Sequence, residues 1–498
     1  MLERTARVAT ALFFIACSHR TSGDSDGNQS SSGTGGTAAN AGSVSAPTGG
    51  TGSSTGGNTV TSTGGTSANG GHSGATTTGG STPVTGGGSG ATTGGGAASG
   101  GAGGSSAGAG GQGGFPDVPG MVGAPFKFPQ NLRSSYCSYP TQARSADAKT
   151  AYDRWKRELV TSDGAGGFQR VRRPNNEGDT TVSEGVGYGM ILAVVMDDQA
   201  LFDNLWKYSQ KYLNENGLMN WEIGADGNVT MQGKGAATDA DEDMAWALAL
   251  ADKKWGGKGS LASDYLSTAK QQIDKIWNHE VDHGRGELLL AGDSWGMAVP
   301  YNPSYFAPNQ YRLFGKLSGN TAGWNKVIDK GYEMLNQTLT SGNGNLDNGL
   351  VPAWTDANGV PTPAFMGAPT HYQYDSARTP FRIGLDYCDF GEPRAKAYLA
   401  KTSNFFSGVG ASNIVDGYSL NGMPRPENTM PAGVQSALFV GAPGVGAMSD
   451  AKFLTFTNDS YLLLTTKEML PPSYYFNMSW QVFSLLMMTG NLFDYTLH

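Results

Sequence analysis

Three acidic side chains, Glu184, Asp239 and Asp375, each stand where a run of apolar residues begins. Glu184 lies in Val182-Ser183-Glu184-Gly185-Val186-Gly187-Tyr188-Gly189-Met190, whose glycines leave space for a ligand to approach the backbone. Asp239 opens the stretch from Ala237 to Trp255. Its first half carries Asp239, Asp241, Glu242 and Asp243, and its second half is apolar from Met244 to Ala251. Asp375 lies in His371-Tyr372-Gln373-Tyr374-Asp375-Ser376-Ala377-Arg378-Thr379-Pro380. Carboxylates taken out of water cost free energy unless they are paired or used. A carboxyl group that keeps its proton serves as a general acid, and an ionised one serves as a general base. Acids in the first turn also complement a helix dipole, so a structural role stays open at this point. A calcium loop is excluded: Met244 stands where such a loop needs glycine, and Leu250 where it needs a bidentate Glu.

Aromatic residues occupy the loops between these acids: Trp221, Trp295, Tyr301, Tyr305, Tyr372, Tyr374, Tyr474 and Tyr475. A carboxyl pair among aromatic faces on which sugar rings stack is the equipment of glycoside cleavage. Each aromatic taken singly is more often a core residue than a sugar platform.

The elements that must position these residues are helical. A helix apolar on every face is buried, and one with a single apolar stripe is a surface helix. The spacing predicts buried helices from Ser183, from Thr238 or Asp239 as N-cap, over 303–315, 374–387 and 431–440, and over 473–490. Between them it predicts amphipathic partners over 200–214, 263–277, 322–339, 393–407 and 451–466, with a further helix over 147–159. Buried starts near residues 184, 239, 304, 375, 432 and 474 recur at roughly the length of a helical hairpin. Hairpins that cannot bury their apolar stripe alone stack into a repeat. The prediction is an all-α fold, an (α/α)6 barrel or toroid, with the inner helix N-termini clustered at one end. An irregular helical bundle is the alternative.

Composition limits the rest. Residues 21–114 are almost entirely Gly, Ser, Thr and Ala, too poor in apolar side chains to offset the entropy of ordering, and read as a disordered tether. Residues 115–498 are long enough for one large domain. Three bases and three acids cancel within residues 1–114, so the net charge of −8 belongs to the C-terminal part. An acidic globule without a basic run argues against nucleic acid as a partner. Arg4 and Arg7 precede the apolar run from Val8 to Ala16, so residues 1–20 read as a signal peptide. Phe14-Ile15-Ala16-Cys17 resembles a lipoprotein box, so the expectation is a protein secreted from, or lipid-anchored at Cys17 on, the outer surface of a bacterium. Apart from that lipid no membrane contact is expected, because no apolar run is long enough to span a bilayer. Cys137 and Cys388 permit one disulfide but are equally compatible with buried thiols. His279-Glu280-Val281-Asp282-His283 matches a zinc-protease pattern, but Gly284-Arg285-Gly286 ends the helix that pattern needs.

The stretch from Ala237 to Trp255 resembles the signature of glycoside hydrolase family 8 along its whole length. Ser183-Glu184-Gly185, Asn302-Pro303-Ser304-Tyr305-Phe306-Ala307-Pro308 and Tyr374-Asp375-Ser376-Ala377-Arg378-Thr379-Pro380 are similar to three further blocks of that family, in the same order. The resemblance covers about residues 126–495 and none of the tether. It implies an (α/α)6 barrel that inverts the anomeric centre. It implies that Glu184 is the general acid and Asp375 the general base, oriented by Arg378 and neighbouring tyrosines. Asp239 would grip and distort the sugar at the cleavage point. Trp221, Trp295 and Tyr305 match sugar-stacking positions, and Tyr372, Tyr374, Tyr474 and Tyr475 are taken with them as substrate-binding. Val186 and Ser376 depart from the family pattern, where Gln and Ala are expected. An inverting pair must leave room for water, so its carboxyls should lie roughly 6.5–9.5 Å apart. The expected activity is endo-cleavage of β-1,4-glucan, cellulose-like or mixed-linkage, by a monomer that needs no metal or cofactor. Xylan and chitosan are the alternative substrates, and a non-catalytic, surface-tethered glycan-binding protein is the alternative class.

Overall fold

The all-round apolar runs become the inner wall of a ring. The computed structural model describes residues 126–174, 178–294, 300–365, 367–427, 435–466 and 474–497, so the expected signal peptide and tether lie outside the described residues. Twelve helices occur among the described residues: α1 (Ser145–Leu159), α2 (Ser183–Val195), α3 (Gln199–Ser209), α4 (Thr238–Trp255), α5 (Tyr265–His279), α6 (Pro308–Ser318), α7 (Thr321–Thr338), α8 (Thr379–Phe390), α9 (Pro393–Val409), α10 (Ala437–Gly446), α11 (Leu454–Thr466) and α12 (Tyr474–Met488). Every residue of α10 is buried, and Glu184 is the one residue of α2 that is not. The even-numbered helices pack in the order α2, α4, α6, α8, α10 and α12, and α12 returns to α2. The odd-numbered helices lie outside, each burying one stripe. In α3 that stripe includes Leu201, Phe202, Leu205 and Tyr208. The chain is an (α/α)6 barrel closed by α1, which packs as the outer partner of α12 at the far end of the sequence.

Connections from an inner helix to the next outer one are short, as between α6 and α7 or between α8 and α9. The return connections, such as 210–237 and 339–378, are long and meet one another in small antiparallel bridges. Tyr301 pairs with Thr355, and Tyr372 with Tyr418. The end of the barrel where the inner helices begin is therefore the end with enough chain to build a cleft.

Local chemistry sets the helix starts, with three departures from the pattern. Asp198, Asp264 and Asn320 cap α3, α5 and α7 by accepting backbone N–H bonds from Leu201, Ser267 and Gly323. Helix α4 instead has Ala237 as its N-cap and no side-chain cap, so Asp239 and Asp241 sit inside its first turn. Helix α8 begins at Thr379 with Pro380 in its first turn, which leaves Asp375 in the preceding turn rather than in the helix. Two of the glycines after Glu184, Gly187 and Gly189, make room for packing. A Cβ at Gly187 would meet the Ala240 carbonyl and Asp243 Cβ of α4, each at 3.1 Å, and one at Gly189 would meet Leu205 Cδ1 at 2.6 Å.

Cys137 and Cys388 form a disulfide with Cα atoms 5.4 Å apart, tying the segment before α1 to the inner helix α8 across 251 residues. Closing so long a loop restricts the unfolded chain. Replacing Cys137 with Ser is expected to lower the unfolding free energy by about 2–5 kcal/mol, read as a reduced urea midpoint.

Candidate active site

One guanidinium organises the acids. Arg378, the N-cap residue of α8, is 1 % exposed. Its Nη1 donates to Glu184 Oε2 at 2.7 Å and to Asp239 Oδ2 at 2.7 Å, with the Tyr188 hydroxyl at 3.4 Å. Its Nε donates to Ser304 Oγ at 3.0 Å, and Ser304 in turn donates that hydroxyl's proton to Asn302 Oδ1. The guanidinium carbon lies 5.1 Å from the centre of the Tyr305 ring and 5.9 Å from that of Phe476, so the cation is held between aromatic faces. Asp375 Oδ1 lies 4.0 Å from Nη2. Both nitrogens are bonded to one carbon at about 1.33 Å. Glu184 Oε2 and Asp375 Oδ1 are therefore at most about 9 Å apart, which does not exceed the upper end of the inverting window of roughly 6.5–9.5 Å.

The three carboxyls differ in environment. Glu184, in the first turn of α2, keeps 18 % of its side chain exposed and accepts a bond from the Tyr475 hydroxyl at 2.8 Å. Burial pushes its pKa up to about 7. The Arg378 cation opposes that shift, the Asp239 charge adds to it, and bonds from Tyr475 and Tyr188 oppose it. Asp239 is 2 % exposed and its pKa is raised by burial against the pull of Arg378 and Arg382. Asp375 is 7 % exposed. Its Oδ2 accepts from Gln373 Nε2 at 2.8 Å and Trp354 Nε1 at 3.3 Å, and its pKa is raised by burial.

A second cation lies one turn deeper. Arg382 of α8 pairs with Asp243 of α4 through two nitrogens, at 2.5 and 2.9 Å, and Gln310 Nε2 donates to the same carboxylate at 2.7 Å. Glu242 accepts from the Tyr311 hydroxyl and Asp241 from Gln272 Nε2, both at 2.8 Å. Burial raises both of these carboxyls well above the ordinary carboxylate range. The acidic half of α4 thus divides between the mouth and the barrel interior.

The structure brings Glu184, Asp239, Asp375, Arg378, Tyr305 and Tyr475 together. Trp221 stands beside them: its carbonyl accepts the Ser183 N–H at the start of α2, and its indole N–H donates to Gln232 O at 2.7 Å. Trp295 lies outside the described residues. Three expected sugar contacts have their rings or hydroxyls engaged by protein neighbours. Tyr372 is fully buried between Phe406 and Phe439. Tyr374 packs on Phe439 and Phe476 and donates to Asp416 Oδ2 at 2.9 Å. Tyr474 faces α1, where it bonds Glu158 and accepts from Arg154. Tyr301 bonds Asp282 and Arg285 and packs in a small separate cluster with Leu288 and Met334. In the zinc-like motif, His279 ends α5, Glu280 is buried, and His283 lies in a separate turn against the Trp277 carbonyl. Sequence reasoning missed Trp354, Gln373, Tyr188, Ser304 and Phe476. Three of these lie inside motifs already noted (Tyr188, Ser304 and Gln373) and Phe476 follows Tyr475, but nothing adjacent to Trp354 marks it.

A ring of six helical hairpins, with acidic side chains converging on one buried cation at the inner helix N-termini, is the architecture of a glycoside hydrolase. The chain belongs to glycosyl hydrolases family 8, whose family model matches residues 128–490. It is 41 % identical to Endoglucanase A of Acetivibrio thermocellus over 350 residues, 70 % of each chain. It is 39 % identical to Endoglucanase 2 of Ruminiclostridium josui over 370 residues, 73 % of this chain and 76 % of that one. Among solved structures it is similar to the apo β-1,3-1,4-glucanase from Paenibacillus sp. X4, with 30 % identity and a TM-score of 0.66, covering 74 % of this chain and 99 % of that one.

Removing one partner of a buried ion pair leaves an uncompensated charge. Arg378→Leu is therefore expected to cost about 3–5 kcal/mol of unfolding free energy at pH 7, measured by urea denaturation, and less at low pH, where the acids it faces are protonated.

Proposed function

We propose that the chain is an inverting endo-β-1,4-glucanase acting on cellulose-like or mixed-linkage glucan. The observation that carries this reading is the convergence of Glu184, poised near neutrality, and Asp375, at most about 9 Å away, on the single cation Arg378. Below pH 7 Glu184 holds a proton that it delivers to the glycosidic oxygen as the bond breaks. Asp375 takes a proton from a water attacking the opposite face of the sugar, the role that an inverting pair requires of its second carboxylate. Asp239 holds Arg378, and through it Glu184. At 2 % exposure, its grip on the sugar is a contact at the floor of the cleft. Tyr305 and Trp221 supply aromatic surface beside the acids, and Trp295 is assigned to the same task. The names of the relatives, endoglucanases and a β-1,3-1,4-glucanase, favour glucan over xylan or chitosan.

Side-by-side release of reducing sugar from carboxymethylcellulose, mixed-linkage glucan, xylan and chitosan is expected to rank the glucans first. Faster release from xylan or chitosan would reassign the substrate, and binding without release would make the protein a glycan-binding module. Glu184→Gln should lower kcat about 10²–10⁴-fold. The alkaline limb of kcat/KM should fall near pH 7, because the acid must be protonated.

We infer further that the chain is exported and lipid-anchored at Cys17, and that the Gly/Ser/Thr-rich segment tethers a monomeric catalytic domain away from the cell surface. Support comes from Arg4 and Arg7 ahead of an apolar run that ends at Cys17. Cys17→Ser should move the protein from the membrane fraction into the medium; unchanged fractionation would remove the lipid.

A further inference from the structure

We propose that Gln373 and Trp354 are positioning residues that lock Asp375 with one oxygen bound and the other presented to water. The proposal rests on the reading of Asp375 as the general base. Asp375 Oδ2 accepts two neutral donors, Gln373 Nε2 at 2.8 Å and Trp354 Nε1 at 3.3 Å. Among the described residues no donor stands within hydrogen-bond distance of Oδ1, and Arg378 Nη2 lies 4.0 Å from it. One carboxylate oxygen is thus saturated and the other is left for the proton that must be removed.

The orientation of the Gln373 amide is fixed twice over. Its Nε2 donates to Asp375 Oδ2, and its Oε1 accepts the backbone N–H of Asp375 at 3.1 Å. A flipped amide would satisfy neither contact. The backbone of Gln373 is clasped in turn. Its N–H donates to Ser376 Oγ at 2.8 Å, and the Ser376 hydroxyl donates back to its carbonyl at 3.0 Å. Trp354 reaches the same oxygen from an earlier stretch of the same 339–378 connection. It is 1 % exposed, and Thr355 beside it is bridged to Tyr301. Its ring centre lies 6.2 Å from that of Tyr305. Two donors from separate stretches of one connection therefore set the Asp375 rotamer, and a misplacement of about 1 Å at a reacting group can cost 100-fold in rate. Both bonds also favour the ionised form, opposing the upward push of burial on Asp375.

The test compares kcat, KM and pH–rate profiles on carboxymethylcellulose for Gln373→Leu, Trp354→Phe and Asp375→Asn in the full chain. Gln373→Leu is expected to lower kcat at least tenfold with KM within twofold. It should also move the acidic limb of kcat/KM upward by about one pH unit, the tenfold worth of a hydrogen bond to a charged group. Trp354→Phe keeps the ring and loses only the longer bond, so it should shift the limb in the same direction by less. An acidic limb at its wild-type pH in both variants, while Asp375→Asn is inactive, would overturn the positioning role and leave the base assignment standing. Near wild-type turnover in Asp375→Asn would instead overturn the base assignment and this proposal with it. If Gln373→Leu fails to fold, as judged by circular dichroism, the limb of Trp354→Phe decides.

Discussion

The site depends on a single buried positive charge. Arg378 is almost fully removed from water, yet it faces Glu184, Asp239 and Asp375. Stripping ions of solvent costs several kcal/mol each, which the mutual attraction offsets only when the geometry is good and the remaining donors are satisfied. Here Nη1 serves two carboxylates, Nε serves Ser304, and the guanidinium plane meets Tyr305. Three acids against one cation leave an excess of negative charge. That excess cannot be solvated away, and part of it is relieved by holding a proton on the acid nearest the surface.

The same logic continues down the barrel. Asp239 and Asp243 are one turn apart on α4, and Arg378 and Arg382 are one turn apart at the start of α8. The resulting pairs, Asp239 with Arg378 and Asp243 with Arg382, form two rungs of a ladder. In the ring α4 and α8 are separated by α6, so these rungs cross the interior rather than joining neighbours. Arginine suits this task because its long side chain ends in a fixed planar fork that can satisfy a carboxylate through two nitrogens. The cross-links hold α4 and α8 at a set distance, and with them Glu184 on α2, which bonds the upper rung.

Much of this was legible in the sequence, and the limits have physical causes. Helices apolar all round announced burial, and their spacing announced six hairpins, because period and hydrophobicity are local properties. Helix phase is not. Tyr474 and Tyr475 are adjacent on α12, whose partners surround it, so nothing in the pattern says which of them turns to α1 and which to Glu184. Tyr372 and Tyr374 both pack on Phe439, a core contact between distant segments that spacing does not encode. Gly187 and Gly189 of α2 read as room for a ligand but are room for α4 and Leu205, since a missing Cβ looks the same from sequence whichever neighbour uses it. Trp354 and the pairing of Cys137 with Cys388 come from contacts between distant segments, which composition and spacing do not encode.

The division of labour between Glu184 and Asp375 in the proposed reaction follows from where Asp239 stands. Asp239 and Asp375 are buried and Glu184 largely so, and desolvation alone would raise all three. Asp239 shares the Nη1 nitrogen with Glu184, and its charge weighs on Glu184 more than either single bond, from Tyr475 or from Tyr188, relieves it. On Asp375 the order is reversed: the bonds from Gln373 and Trp354 outweigh the Asp239 charge. One carboxylate therefore biases its two neighbours in different degrees, pushing the nearer upward more prominently than the farther. Pairs of titratable groups whose surroundings push them apart are how one site supplies an acid and a base at one pH. On this account Asp239 matters to the chemistry without touching the bond that breaks, and its almost complete burial is what makes its charge effective.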